Sequence, residues 1–227
     1  MPRAGSTAPK AAPKPPAPAP VIPITSPLLV VISAPSGAGK TTLCERTLAV
    51  RPGMARAVTC TTRAPRPGEK DGVDYYFLDA GTFLKRVQAG NFLEHATVYG
   101  NSYGTLKSEV LGKLRAGRDV LLNVDVQGAA TIRTQAEEDA ELRRALIMVF
   151  LTVPSLAVLE ERLRKRGQDS TAAIAKRLGV ARQEIAQWKH FDYLIISSTP
   201  AEDARRLAAV LDAEHMRQER AVLPSSD

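Results

Sequence analysis

Leu28-Leu-Val-Val-Ile-Ser-Ala-Pro-Ser-Gly-Ala-Gly-Lys-Thr-Thr42 joins an apolar, β-branched run to a glycine-bearing turn that ends in Lys-Thr. The run from Leu28 to Ser33 reads as a fully buried strand. A helical pattern carrying Leu43 and Leu48 follows from about Thr41 to Val50, and Arg51-Pro52-Gly53 stops it. Strand, glycine turn and helix in that order are the context a phosphate-binding loop requires. Backbone N–H groups in such a loop converge on phosphate oxygens, and the helix N-terminus adds partial positive charge. Ser36, Gly37, Ala38, Gly39, Lys40, Thr41 and Thr42 are therefore the expected contacts of a nucleoside triphosphate. Lys40 would reach its β- and γ-phosphates, and the Thr41 hydroxyl would ligate Mg²⁺. Gly37 and Gly39 permit close backbone approach. The usual pattern begins with Gly where this chain has Ala34, one methyl more than the loop normally carries.

Working outward, apolar runs at 120–124, 145–153 and 193–196 read as further buried strands, separated by helical patterns at 155–166, 172–189 and 201–220. This alternation predicts an α/β fold with a parallel sheet covered by helices on both faces. Residues 58–107 break the rhythm. They are rich in Thr, Gly, Tyr and Pro, alternate at Asp74-Tyr-Tyr-Phe-Leu78, and contain a short helical stretch at 82–89, which predicts a small mixed or antiparallel insertion. The basic stretch 164–177 predicts a second, helical excursion. The expected organisation is a Pro/Ala-rich tail at 1–27, core at 28–57, 108–157 and 187–227, the insertion at 58–107, and a lid at 158–186. Residues 134–144 read as a solvated loop or helix extension, and Trp188 and Phe191 as core.

Thr59-Cys-Thr-Thr-Arg-Ala-Pro-Arg-Pro-Gly-Glu-Lys-Asp-Gly-Val-Asp-Tyr75 holds Arg63 and Arg66 three apart in a Pro-Gly-rich loop. A guanidinium fork suits a phosphate monoester, and Tyr75 can add a neutral donor. Two such arginines taken alone are more often solvated; their place after a phosphate-binding loop favours a second anion site. Phe92-Leu-Glu-His-Ala-Thr-Val-Tyr-Gly-Asn-Ser-Tyr-Gly-Thr105 then supplies Glu94, Tyr103 and Thr105.

Five motifs stand in one order: the loop 33–42, Thr61-Thr-Arg-x-x-Arg-x-Gly-Glu69, Phe92-Leu-Glu94, Tyr103-Gly-Thr105 and Asp125-Val-Gln-Gly128. Together they resemble guanylate kinases across about residues 28–220. The resemblance implies a P-loop NTPase-like parallel sheet covered by helices, with a small mixed β insertion for GMP and a helical lid. It implies transfer of the γ-phosphoryl group of ATP to GMP with Mg²⁺. It carries Thr59, Arg63, Arg66, Tyr75, Glu94, Tyr103, Thr105 and Asp125 into GMP-binding positions. Lid arginines fall eleven apart in the family, as Arg166 and Arg177 do, so the resemblance makes Lys40, Arg63, Arg166 and Arg177 the catalytic set. The chemistry agrees: guanine presents N1–H and N2–H₂ to an ionised Glu94, Thr59 or Thr105 can meet O6, and adenine offers an acceptor there instead. Asp125 either touches guanine or orders water on Mg²⁺. Lys165 and Lys176 read as solvated. The family commonly has an acidic residue at 123 and Asn-Asp at 197–198; this chain has Asn123 and Ser197-Ser198. A phosphosugar kinase would not need Glu94 paired with Thr105, and a related protein-binding module would not need an intact Gly39-Lys40-Thr41.

Charge is unevenly spread. The chain has 31 Lys and Arg against 24 Asp and Glu, a net +7. Residues 1–27 hold nine of the sixteen prolines and three of the basic residues (Arg3, Lys10, Lys14) with no acid, leaving 28 − 24 = +4 beyond them. Such a segment reads as a disordered, partly extended tail. It lacks the apolar stretch of a secretory signal, and apolar runs such as Leu28–Ile32 fall far short of the roughly 18–20 residues a membrane helix needs. A cytoplasmic enzyme is expected, with Cys44 and Cys60 as free thiols and His95, His190 and His215 too scattered for zinc or iron. Five basic residues assigned to phosphates turn the positive balance into a pocket for ATP and GMP, with no nucleic-acid or membrane partner expected.

Overall fold

The computed structural model describes residues 24–98, 100–167 and 170–222. In chain order the elements are β1 (Ile24–Thr25), β2 (Leu29–Ser33), α1 (Lys40–Val50), β3 (Met54–Arg56), β4 (Cys60–Thr61), β5 (Tyr76–Phe77), α2 (Ala80–Gln88), β6 (Phe92–Val98) and β7 (Asn101–Leu106). There follow α3 (Lys107–Arg115), β8 (Asp119–Asn123), α4 (Val126–Glu138), α5 (Ala140–Ala145), β9 (Leu146–Thr152), α6 (Leu156–Arg166), α7 (Thr171–Ile185), a 3₁₀ turn (Ala186–His190), β10 (Tyr193–Ile196), α8 (Pro200–His215) and β11 (Ala221–Val222).

Five strands pair in the order β10-β9-β2-β8-β3, every pair parallel. β2 lies at the centre with all five residues buried. Its alternation divides the core. Val30 and Ile32 join Ile147, Val149 and Leu151 against Leu43 of α1, Leu159 and Leu163 of α6, and Leu207 and Leu211 of α8. Leu29 and Val31 join Val120, Leu122 and Met148 against Val110 of α3, Ile132 of α4 and Leu142 of α5. A strand paired on both edges and covered on both faces can be apolar at every position. Each such side chain contributes roughly 1.5–3 kcal/mol by burial. The α/β expectation holds.

The sheet has one strand more than the apolar runs indicate. β3, Met54-Ala-Arg56 at the sheet edge, is only three residues long, too short to show as an apolar run. Residues of the insertion form a second sheet, β5-β4-β7-β6, with β4 and β5 parallel and the other pairs antiparallel. Its small core is Cys60, Phe83, Phe92 and Leu106, with the rings of Phe83 and Phe92 stacked at 4.5 Å. Gly104 permits this pairing: a Cβ there would stand 2.8 Å from Phe92 Cδ1 and 2.9 Å from the Glu94 carbonyl oxygen.

Three local expectations are corrected. Residues 24–27, counted with the disordered tail, are tied to the core. β1 pairs antiparallel with β11, Ser26 N–H donates to Arg220 O at 2.9 Å, and Leu28 N–H donates to Asp119 Oδ1 at 2.9 Å. Composition does not register partners almost two hundred residues away; the rest of the tail lies outside the described residues. Trp188 is 43% exposed on the 3₁₀ turn instead of in the core, whereas Phe191 packs against Phe150 at 5.0 Å. The last helix ends at His215, short of the expected 220, and Arg220 turns inward to donate to Glu214 Oε2 at 3.1 Å. The 134–144 stretch is a helix extension: α4 runs to Glu138 and α5 restarts behind the cap of Asp139. No described helix is long and apolar enough to cross a membrane.

Candidate active site

The loop between β2 and α1 turns through two left-handed glycines, Gly37 at φ +93° and Gly39 at φ +102°. A Cβ on Gly37 would stand 3.0 Å from Leu163 Cδ2, so α6 packs directly on the loop. Ala34 is 3% exposed and belongs to the larger core. Its methyl is packing, which accounts for the departure from Gly. No side chain caps α1, and its first-turn N–H groups remain available to an anion. Lys40 Nζ donates to Val124 O at 2.6 Å. Burial pulls its ammonium below the ordinary lysine pKa, opposed by Cys44, Asp125 and Glu184 nearby. A cavity of about 610 Å³ lies over the loop, walled by Ser36, Gly37, Gly39, Lys40, Thr41 and Thr42 together with Asp125, Arg162, Arg166 and Glu184. Ala38 is buried. Arg177 Nη1 reaches Ser36 Oγ at 3.3 Å from α7.

A second cavity, of about 510 Å³, is lined by Thr59, Tyr75, Glu94, Tyr103, Thr105 and Asp125. The β6–β7 register sets Glu94 opposite Thr105, and the Thr105 hydroxyl donates to Glu94 Oε1 at 2.8 Å. Glu94 is 8% exposed. Burial raises its pKa, the Thr105 bond opposes this, and the Asp125 charge adds to it. Asp125 caps α4, accepting from Gly128 N–H at 2.8 Å. A Cβ on Gly128 would lie 3.4 Å from both Glu94 Oε2 and Asp125 Oδ1, so the glycine lets two carboxylates crowd one helix N-terminus. Thr41 and Asp125 line both cavities and mark where they meet.

The arginines of the insertion stand apart from both walls. Arg63 Nη2 donates to Glu69 Oε1 and Oε2 at 2.8 and 3.0 Å. Its guanidinium lies 5.4 Å from the Tyr75 ring centre, and Tyr75 meets Tyr103 edge-on at 6.3 Å. Glu69 also accepts from Arg66 N–H at 2.7 Å, but the Arg66 side chain is exposed. Arg63 thus adjoins the second cavity through Tyr75, and Arg66 lies outside it.

Several residues of the site carried no role in the sequence reading. Glu69 orients Arg63 from within the same loop. Glu184 falls seven residues after Arg177, two turns along one helix face, and that spacing was the available signal. Arg162 is one of several basic residues in 162–166, with nothing in the sequence to single it out. Its Nη1 donates to Ala38 O at 3.2 Å and Ser197 Oγ at 3.0 Å, and its Nη2 to Ser198 O at 3.3 Å. Asp203 completes that network, accepting from Ser197 Oγ at 2.7 Å and Ser198 N–H at 2.9 Å. A smaller cavity of about 230 Å³ opens there beside Ala38, Gly39 and Thr42. Lys165 and Lys176 are exposed. Burial pushes the thiols of Cys44 and Cys60 up to about 11, too high for reactivity at neutral pH.

The guanylate kinase family model matches residues 26–214. The chain is 43% identical over 191 residues to the guanylate kinase of Maricaulis maris, spanning 84% of this chain and 85% of that one. It is 44% identical over 191 residues to the guanylate kinase of Coxiella burnetii, spanning 84% and 89%. The crystal structure of guanylate kinase from Anaplasma phagocytophilum superposes with a TM-score of 0.66 at 32% identity, covering 87% of this chain and 91% of that one. A phosphate loop under α6 and α7, a mixed-sheet insertion and matches along nearly the whole described chain lead to one assignment: the chain belongs to the guanylate kinase family.

Proposed function

We propose that the protein transfers the γ-phosphoryl group of ATP to GMP, giving ADP and GDP. The observation that carries this reading is the Glu94–Thr105 pair, a buried carboxylate and hydroxyl on the wall of a cavity that meets the phosphate-loop cavity. An ionised Glu94 accepts from guanine N1–H and N2–H₂, while adenine would turn its N1 acceptor toward the same charge. Thr105 spends its proton on Glu94, which leaves Thr59 as the hydroxyl donor for O6.

The GMP phosphate goes to Arg63, Tyr75 and Tyr103, and Arg66 joins when its loop closes over the substrate. That phosphate has a second pKa of about 6 and is largely dianionic at neutral pH, so attack needs no general base. Residues Ser36 to Thr42 cradle the triphosphate. Lys40, Arg166 and Arg177 neutralise charge on the transferring phosphoryl group, which passes in line with no covalent enzyme intermediate.

The donor set suits Mg²⁺. Thr41 and Asp125 offer hard oxygen donors where the cavities meet, and Glu184 Oε2 is buried with no hydrogen-bond partner among the described residues. Among the described residues there is no group of three or more His, Cys, Asp or Glu that could hold a metal ion. When bound, Mg²⁺ would supply positive charge to offset the negative charge of the transferring phosphoryl group. Thr41 and Asp125 would hold it, Asp125 through water. ADP release measured with Mg·ATP and GMP, AMP, UMP or ribose 5-phosphate in turn tests the proposal. Turnover should require GMP, and equal rates with AMP or without any acceptor would overturn it.

A further inference from the structure

Glu184 reaches the phosphate-loop cavity from α7. Its carboxylate lies against the Ser36 backbone N–H and near the Lys40 ammonium, and Oε2 is buried without a hydrogen-bond partner among the described residues. Apart from Asp125, the rest of this wall suits anions: open loop amides, Lys40, Arg162 and Arg166. A bare triphosphate entering here would meet a fixed like charge at short range. Left alone, the buried oxygen would also stay unsatisfied. Both difficulties would be relieved by a hydrated cation carried in on the polyphosphate, because a metal-bound water could donate to Oε2 and the cation's charge would offset the carboxylate's.

We propose that Glu184 makes triphosphate binding depend on the divalent cation, so that the site takes metal-bound ATP and rejects the metal-free form. The proposal rests on the reading of this cavity as the Mg·ATP site. Asp125 is poorly placed to do the same alone, since its Oδ1 is engaged by the Gly128 amide. Asn123, at the end of β8, is neutral. The discriminating carboxylate therefore comes from α7, the helix that also sets Arg177 against Ser36, and charge selection is built into the same element as the transfer arginine.

The test is the ATP dissociation constant, measured calorimetrically with Mg²⁺ and with EDTA, for the wild type and Glu184→Gln. Removing Mg²⁺ should weaken wild-type binding by roughly 5–150-fold, the usual range of coupling between two ligands. In Glu184→Gln the loss should shrink to a few-fold, chiefly because metal-free ATP binds more tightly. Unchanged GMP affinity shows that the variant is folded. Glu184→Asp keeps the charge and should keep the dependence. The same loss on Mg²⁺ removal in wild type and Glu184→Gln would overturn the proposal, as would a Glu184→Asp variant behaving like Gln. Wild-type ATP binding indifferent to Mg²⁺ would instead remove the Mg·ATP reading beneath it.

Discussion

Glu94 sits in a place that is good for reading guanine and poor for an isolated charge. Because burial raises its pKa, the folded chain holds this proton more firmly than the unfolded chain. Between the unfolded value and the raised one the folded state binds more protons, so this group's contribution to stability falls as pH rises through that window. Glu94→Gln keeps the shape and removes the charge. It should melt at a higher temperature at neutral pH, by the equivalent of roughly 0.5–2 kcal/mol, at the expense of function. The ratio of kcat/KM for GMP over AMP should fall by about two orders of magnitude or more, because a hydrogen-bonding site has lost its selective acceptor. In the wild type, KM for GMP should rise as pH is lowered through the raised Glu94 value, which a pH profile of KM would show. Lys40 acts on the other substrate. Lys40→Ala should lower kcat by about 10²–10³-fold, while GMP binding measured by calorimetry stays intact.

At the scale of elements, α6 and the phosphate loop behave as one packed unit. Gly37 combines a left-handed backbone with a close approach to Leu163, so Gly37→Ala is strained twice over and should raise KM for ATP. Arg162 fastens the same helix to Ala38 and to the turn after β10. Arg162→Ala should raise KM for ATP roughly tenfold or more, from about 1.5–3 kcal/mol for a lost hydrogen bond of a charged group, and leave KM for GMP unchanged. Steady-state kinetics with each substrate varied separately distinguishes these outcomes. The buried strands were legible because a central parallel strand is apolar on both faces, as Leu28–Ile32 shows. β3 and β1 were not, since edge pairs of two or three residues are held by backbone bonds that leave no periodicity. Glu94 and Thr105 were legible as motif residues. Glu69 stood in a motif too, but its hold on Arg63 depends on the loop's fold, and Glu184 lay outside every motif, a carboxylate where phosphate binding signals itself by positive charge.

Across the whole molecule the described ends are strapped together. β1 lies on β11, Thr25 Oγ1 meets His215 Nδ1 at 3.2 Å, His215 Nε2 meets Asp119 Oδ2 at 2.9 Å, and Asp119 Oδ1 accepts from Leu28 N–H. Deleting residues 1–23 should leave turnover and melting temperature as they are. Deleting residues 1–27 removes β1 and its bonds and should lower the melting temperature by roughly 5–10 °C, from about three hydrogen bonds near 1 kcal/mol each. Melting curves of the two truncations check this directly. Three of the chain's positive charges, Arg3, Lys10 and Lys14, lie within residues 1–23.

The central place of β2 also bears on how the chain is made. Leu29 pairs with Val120 on one side and Leu146 on the other, so the most apolar strand leaves the ribosome long before either neighbour. At about 5–20 residues per second, Leu28–Ile32 waits several seconds or longer for its first flanking strand in the sheet interior. The insertion, whose strands find partners within residues 60–106, can close during that wait. Folding during synthesis then runs from the periphery inward. The strand that finally holds the domain together is the one a holding chaperone would meet first.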